Sequence, residues 1–347
     1  MAELPPTDRW LIGEVLGHYS GLHDRDSTIT LVKPGLSGAR VWRIDREGVK
    51  PICLRRWPAE HPSAERLTYI HAVLSHLAAG EISFTPRPLP TSQGTTFVRR
   101  DSAFWEVTNW LPGNADFRAK PSPERLAAAM RALAELHIRA VTFADATSRA
   151  AIGVSPGIVE RAVLLQKFVS GRIGGVERAI SAIDWPGWAE RAREILKCFR
   201  LHANQLERDL GAAGQSSVPL QPCIRDIHDE HMLFDGDVVS GIIDFGAMRH
   251  DNVATDVARL LGSMAGNDGE LWRAGLAEYQ RIRRMSEAEL RLVEVFDRSA
   301  TLLGSVQWLD WIYLQQRQFD DWEQVFYRID RLHYRLKALK EPPSLIP

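Results

Sequence analysis

Two aspartates flank a pair of apolar, β-favouring runs in the second half of the chain. Asp226 lies before the first run and Asp244 lies at the end of the second. The runs are joined by Asp235-Gly236, and an Asp-Gly pair in this setting is typical of a tight β-hairpin. Because a hairpin places its two open ends side by side, Asp226 and Asp244 are expected to meet at one end of a two-stranded ribbon.

Carboxylates gathered beside a buried ribbon are costly unless they hold a metal ion or accept hydrogen bonds. Phosphoryl transfer uses such a set. One carboxylate accepts or orients the proton of the attacking hydroxyl, and another holds Mg²⁺ against the nucleotide phosphates. The aspartate pair therefore indicates phosphotransfer chemistry.

The elements that must position this pair change character along the chain. The first third predicts an antiparallel meander with one inserted helix, because short β-branched runs alternate with Gly-bearing turns. Its expected strands are 27–32, 39–45, 52–56, 95–99 and 103–109, and its expected helix is 63–79. After Pro112-Gly113 the pattern becomes helical, starting at Ser122-Pro123, an N-cap followed by proline at the first helical position. The predicted domains are 1–111 and 112–347.

Composition excludes several classes of protein. The 347 residues include 43 Lys and Arg against 44 Asp and Glu, so the net charge is −1. This balance disfavours a nucleic-acid or anionic-membrane binder. Three widely separated cysteines favour a reducing cytoplasm over a disulfide framework, and neither a signal peptide nor a membrane-spanning run is expected.

The segment 222–262 resembles the aminoglycoside phosphotransferase and choline kinase family, which has a protein-kinase-like fold. The family pattern is H-G-D-x-x-x-x-N, a hairpin, an Asp before Phe-Gly, and a later Asp-Leu-Ala. The sequence has I-R-D-I-H-D-E-H, the hairpin, I-I-D-F-G and T-D-V-A. The resemblance implies that Asp226 is the catalytic base, Asp244 a metal ligand and Asp256 a structural anchor.

The resemblance also implies an α+β, two-lobed architecture: a small antiparallel-sheet N-lobe and a larger, mostly helical C-lobe that carries the catalytic loop and the hairpin. ATP would bind with its phosphates under the loop from Gly35 to Gly38. Arg55 would steady the phosphates, with Arg56 competing for that role. Asn109 to Leu111 would form the hinge beside adenine.

Three departures from the family pattern are visible. His231 stands where the family has a metal-binding Asn, and it either ligates a metal ion, with Mn²⁺ as an alternative to Mg²⁺, or hydrogen-bonds Asp226. Ile224 stands where a His is expected two residues before the base. No glutamate lies near Tyr69, where the helix partner of the strand cation is expected, and Glu65 is one turn too early.

The sequence therefore predicts an ATP-dependent kinase that phosphorylates a hydroxyl of a small molecule, such as an aminoglycoside-, choline- or homoserine-like acceptor. The next helical run starts near Val253, which leaves no room for a peptide-docking segment. The alternative is a pseudokinase, a nucleotide-binding or interaction module without phosphotransfer. The acidic run 320–323 is either part of a pocket for an amine or a solvated helix face. Oligomeric state cannot be read from the sequence.

Overall fold

The structure is a computed structural model that describes residues 6–22, 27–33, 38–143, 151–182 and 188–339. The chain divides into two compact units. The first comprises residues 1–116 with 230–246, and the second comprises 117–229 with 247–347. The hairpin thus groups with the N-terminal residues. The functional division at Leu111, with nucleotide binding before it and the catalytic loop after it, stays a prediction.

The first unit is built on a five-stranded antiparallel sheet in the order β1-β2-β3-β5-β4. The antiparallel pairing agrees with the prediction, but the simple meander was wrong, because β5 rather than β4 pairs with β3 and β4 lies at the edge. Its strands are β1 (Ser27–Leu31), β2 (Arg40–Arg46), β3 (Val49–Arg56), β4 (Phe97–Arg100) and β5 (Ala103–Asn109). The central register pairs Arg55 on β3 with Glu106 on β5, so these two side chains lie on the same face of the sheet.

Two helices accompany this sheet. Helix α2 (Ala64–Ala79) fits the predicted range and starts at the Ser63 cap, whose side chain accepts a hydrogen bond from the Arg66 amide. Helix α1 (Pro6–Leu16) was not predicted from the sequence. It adds Ile12, Val15 and Leu16 to a core that includes the stacked rings of Trp42 and Trp105. An 11-residue helix is marginal alone, so this packing stabilises α1.

The predicted hairpin is present as β8 (Met232–Asp235) and β9 (Val238–Ile242). It is fixed to the first unit by backbone hydrogen bonds in both directions between Asn114 and Phe234, at 2.9 and 3.0 Å. The Ile242 amide also donates to the Phe84 carbonyl at 2.7 Å. Gly113 is required here, because it has a φ of +92° and a Cβ would lie 2.1 Å from Ser240 Oγ.

The second unit is mostly helical, as predicted. Its helices are α3 (Pro123–Ala140), α4 (Pro156–Lys167), α5 (Ile173–Ala182), α6 (Trp188–Ala213), α7 (Ala254–Met264), α8 (Gly269–Ile282), α9 (Glu287–Leu309) and α10 (Trp322–Lys337). A small sheet of β6 (Ala151–Gly153), β7 (Val218–Cys223) and β10 (Arg249–Asp251) accompanies them, in the order β10-β7-β6.

Helix boundaries in the second unit follow the capping residues closely. Ser122 accepts a hydrogen bond from the Arg125 amide at the start of α3. The spacing of Ser286 and Glu289 in the sequence predicts a capping box, and these two residues form it at the start of α9. The small-residue run 211–217 predicts a loop, and this prediction was wrong over its first three positions, because α6 continues to Ala213.

Within the described residues, no helix combines the length and the apolar character needed to cross a membrane. Cys53, Cys198 and Cys223, all of which lie in the described residues, form no disulfide bond.

Candidate active site

Asp244 lies just beyond the hairpin, in backbone that has left the strand ladder. The apolar, β-favouring run 238–245 predicts a strand over its whole length, but β9 ends at Ile242. The Ile243 amide instead donates to the His231 carbonyl at 3.0 Å, and Asp244 has a φ of +65°. Few side chains adopt this left-handed conformation, and Asp is among those that do. Gly246 then allows a close approach, because a Cβ there would lie 3.0 Å from the Trp57 ring.

Arg55 and His231 both reach the Asp244 carboxylate. Arg55 Nη1 lies 3.4 Å from Asp244 Oδ1, and His231 Nε2 lies 3.5 Å from Asp244 Oδ2. Burial alone would raise the pKa of Asp244, but Arg55, His231 and the Gly246 amide together lower it below its ordinary value. Asp244 is therefore an ionised carboxylate at neutral pH, with 36% of its side chain exposed.

Arg55 is the arginine that faces this carboxylate. Its guanidinium lies over the Trp57 ring at 4.7 Å, whereas the guanidinium of Arg56 lies over Trp105 at 5.7 Å. Adjacent residues of a strand point to opposite faces, so only one of the two can serve the site. The structure brings Arg55, Asp244 and His231 together, although 189 positions of sequence separate the first two.

A second carboxylate, that of Glu106, lies beside Arg55 and was not predicted from the sequence. Glu106 Oε1 lies 3.7 Å from Arg55 Nε, and Glu106 Oε2 lies 2.6 Å from His71 Nε2. His71 lies on α2, the helix on which the family resemblance places a glutamate near Tyr69. The strand thus supplies the carboxylate and the helix supplies a histidine. The cross-strand pairing of positions 55 and 106 could have indicated this, once the register was known.

The second unit carries Asp226 in a loop that Asp256 organises. Asp256 is fully buried, and its carboxylate accepts hydrogen bonds from the amides of Ile224 at 2.7 Å and Arg225 at 2.6 Å. Arg225 has a φ of +68°, which turns the chain sharply before Asp226. The Asp226 side chain is 47% exposed and forms an ion pair with Arg259 of α7.

A buried histidine completes the support of this loop. His137 Nε2 lies 3.1 Å from Asp256, and His137 Nδ1 lies 2.8 Å from the Tyr279 hydroxyl. His137, Cys223 and Asp256 place potential ligand atoms within 4.8 Å of one another. Because the Asp256 oxygens already accept three hydrogen bonds, we interpret this group as a structural network. The anchoring role expected for Asp256 agrees with these contacts.

The remaining predicted residues are placed as follows. Gly38 is exposed with a φ of +75°, and Gly35 lies outside the described residues. Asn109 ends β5, and its side-chain oxygen accepts a hydrogen bond from the Arg87 amide at 2.6 Å. Leu111 is buried against Gly241 of the hairpin.

Asp226 belongs to the second unit and Asp244 to the first, so their predicted meeting stays a prediction.

The acidic run before the last helix has a structural role. Asp321 caps α10 by accepting a hydrogen bond from the Gln324 amide at 3.0 Å. Trp322 packs against Phe319 at 5.2 Å and Phe326 at 5.5 Å, between ring centroids. Asp320 and Glu323 are exposed, so these positions favour the solvated helix face over an amine pocket.

Comparison with solved structures defines the class of fold. An amicoumacin kinase has a TM-score of 0.66 at 12% identity, covering 98% of this chain and 95% of that one. An aminoglycoside phosphotransferase from Alicyclobacillus acidocaldarius has a TM-score of 0.66 at 17% identity, covering 99% and 96%. Choline kinase from Cryptosporidium parvum has a TM-score of 0.61 at 13% identity, covering 98% of each chain. The fold is therefore the two-lobed, protein-kinase-like α+β fold that the sequence predicted.

The family follows from the sequence itself. Residues 28–293 match the model of APH, the phosphotransferase enzyme family, and the chain belongs to this family. Curated relatives include a homoserine kinase from Rhizobium johnstonii, 26% identical over 242 residues, and one from Azorhizobium caulinodans, 28% identical over 243 residues. Each match covers 68% of this chain and 66% of the relative's length.

Proposed function

We propose that this protein is an ATP-dependent phosphotransferase that moves the γ-phosphate of ATP to a hydroxyl of a small molecule. The observation that carries the proposal is the contact of Arg55 with Asp244. Arg55 is a cation on β3, and Asp244 is an ionised carboxylate close to Gly246. Membership of the phosphotransferase family supports it. The homoserine kinases among the relatives support a small acceptor.

Each predicted residue has a role in this proposal. The loop from Gly35 to Gly38 covers the phosphates of ATP, and Arg55 steadies them by charge. Asn109 and Leu111 border the adenine. Asp226, whose carboxylate is half-exposed, orients the acceptor hydroxyl and takes its proton. Catalysis of this kind depends on positioning and charge neutralisation, so the protein needs no covalent nucleophile.

The donor set around Asp244 fits a divalent cation. Asp244 offers ionised carboxylate oxygens, which Mg²⁺ prefers, and His231 Nε2 lies 3.5 Å from one of them. An imidazole ligand also suits Mn²⁺, which makes Mn²⁺ the alternative ion. When bound, the ion would neutralise charge on the phosphates. Asp244 and His231 would hold it, and Arg55 would limit how far the carboxylate can turn.

The side chains near Asp226 favour an acceptor that carries an anionic group. Arg259 pairs with Asp226, and Arg225 pairs with Glu160. Among the described residues, Arg161 has no carboxylate within ion-pair distance; its guanidinium donates to the Gly157 carbonyl at 3.2 Å. Burial, followed by the charge of Arg259, lowers the pKa of Arg161 to about 10, and the nearby charge of Asp251 only partly opposes this shift. Such crowding of cations favours a carboxylate-bearing acceptor, such as a hydroxy amino acid, over a polycationic aminoglycoside.

The test is metal-dependent consumption of ATP over a panel of homoserine, choline, a sugar and an aminoglycoside, with Mg²⁺ or Mn²⁺. We expect the highest turnover with the hydroxy amino acid. Asp226→Asn should lower kcat by about 100-fold or more, because it removes the general base, and should leave the Kd for ATP unchanged. Glu177→Gln, which alters an exposed ion pair with Arg200, is the matched control and should behave as the wild type.

Two outcomes would contradict the proposal. Nucleotide binding without ATP consumption, over the whole panel and with both metal ions, would assign the chain to the pseudokinases. Wild-type turnover by Asp226→Asn would remove Asp226 from its role as the base. A cytoplasmic location, which the cysteines favour, stays a prediction.

A further inference from the structure

The side chain of Arg55 is held along two edges of its guanidinium. Nη1 faces Asp244 at 3.4 Å, while Nε faces Glu106 at 3.7 Å, and the Trp57 ring covers one face at 4.7 Å. An arginine side chain carries about 2 kcal/mol of rotamer entropy, so a single contact orients it poorly. If Asp244 turns to a metal ion, only Glu106 remains as a charged partner among these contacts.

Glu106 is itself fixed from the helix side. It is 6% exposed, and His71 of α2 is 3% exposed. His71 Nε2 lies 2.6 Å from Glu106 Oε2, and His71 Nδ1 lies 2.7 Å from the Thr96 hydroxyl oxygen. Burial alone would raise the pKa of Glu106, but the hydrogen bond from His71 and the charge of Arg55 lower it below its ordinary value. The carboxylate therefore stays charged beside Arg55.

We propose that Glu106 and His71 are positioning residues that hold the Arg55 guanidinium in place, so that its Nη1 edge stays available to the nucleotide phosphates. This inference rests on the proposed function. Helix α2 thus positions Arg55 indirectly, through His71 and the strand residue Glu106. The family resemblance implied a glutamate on this helix, near Tyr69, for the same role. Movement of α2 would therefore be transmitted to Arg55.

The test measures KM for ATP and kcat in the full chain. Glu106→Gln removes the charge beside Arg55, and His71→Leu removes the donor to Glu106. Each should raise KM for ATP about tenfold, the effect of losing one charge-assisted interaction, with a smaller change in kcat. His71→Gln keeps an N–H near the place of Nε2 and should restore KM to within about threefold of the wild type.

His333→Gln is the matched control. His333 Nε2 lies 2.9 Å from Glu194 in another His–carboxylate pair, one that the mechanism does not use. It should leave KM for ATP unchanged. If Glu106→Gln and His71→Leu both keep the wild-type KM for ATP in an active enzyme, the positioning role is refuted and the proposed function stands.

A second measurement separates this inference from the proposed function. If the wild type consumes no ATP, a double-mutant cycle of Arg55→Met and His71→Leu in urea unfolding still tests the connection. The shift of the unfolding midpoint in the double variant should be smaller than the sum of the two single shifts, because both substitutions break one network. Additive shifts would refute the connection between α2 and Arg55, whatever the activity.

Discussion

Replacing Asp256 by asparagine tests whether the Asp226 loop is held by a buried charge. Asp256 is fully buried, and it accepts hydrogen bonds from two backbone amides and from His137. An asparagine oxygen accepts at most two hydrogen bonds, so at least one buried donor loses its partner. That loss costs about 1–3 kcal/mol, and the remaining hydrogen bonds fall from charged to neutral strength. We expect the free energy of unfolding to fall by about 2–4 kcal/mol.

The assay is urea unfolding followed by circular dichroism, with kcat as a second measurement. A loss of this size should move the midpoint by roughly 1 M urea. Because the amides of Ile224 and Arg225 precede Asp226 directly, kcat should fall as well. Glu177→Gln provides the control for a carboxylate that is 48% exposed, and it should leave the unfolding midpoint unchanged. A midpoint and a kcat equal to the wild-type values in Asp256→Asn would refute the anchoring role.

Two further predictions concern stability. Burial alone would raise the pKa of Glu289, but the Ser286 amide and Arg283 lower it below its ordinary value. The charged Glu289 therefore stabilises the folded state fully above the ordinary glutamate pKa of about 4.3, and this contribution is lost as the pH falls below that value. At pH 7 the free energy of unfolding of Glu289→Gln should be lower than that of the wild type, and the difference between the two should shrink towards about pH 3. A difference that stays constant with pH would contradict this prediction. Gly113→Ala should cost about 2–3 kcal/mol, since its Cβ would meet Ser240 Oγ at 2.1 Å. Gly94→Ala has a φ of +81° but open space, so it should cost only about 1 kcal/mol, and equal thermal shifts for both variants would exclude the clash.

Short sequence motifs correctly predicted the turns and helix starts that depend only on adjacent residues. The Asp235-Gly236 turn specified the hairpin, and Ser286 with Glu289 specified the start of α9. In each case a few adjacent residues determine the backbone, so no knowledge of the tertiary structure is needed.

The elements that were missed depend on contacts distant in sequence. Helix α1 is stabilised by the core of the sheet, and β10 is a three-residue strand that exists because β7 pairs with it. Glu106 is the clearest example in the candidate site. Nothing in its neighbouring sequence separates it from any strand glutamate, and its importance appears only when β3, β5 and α2 bring Arg55 and His71 to it. The left-handed Asp244 was missed because the apolar run continues past it.

The discontinuous N-terminal unit has a consequence for how the nascent chain matures on the ribosome. Residues 1–116 leave the exit tunnel first, but their partner segment, 230–246, follows roughly 110 residues later. At about 5–20 residues per second, translation leaves this part waiting for roughly 5–20 s. During that interval the Phe84 carbonyl, the Asn114 backbone and the Leu111 side chain lack the hairpin that later covers them. The unit that contains residues 1–116 therefore cannot complete its fold until residues 230–246 have been synthesised, although most of its residues are translated earlier.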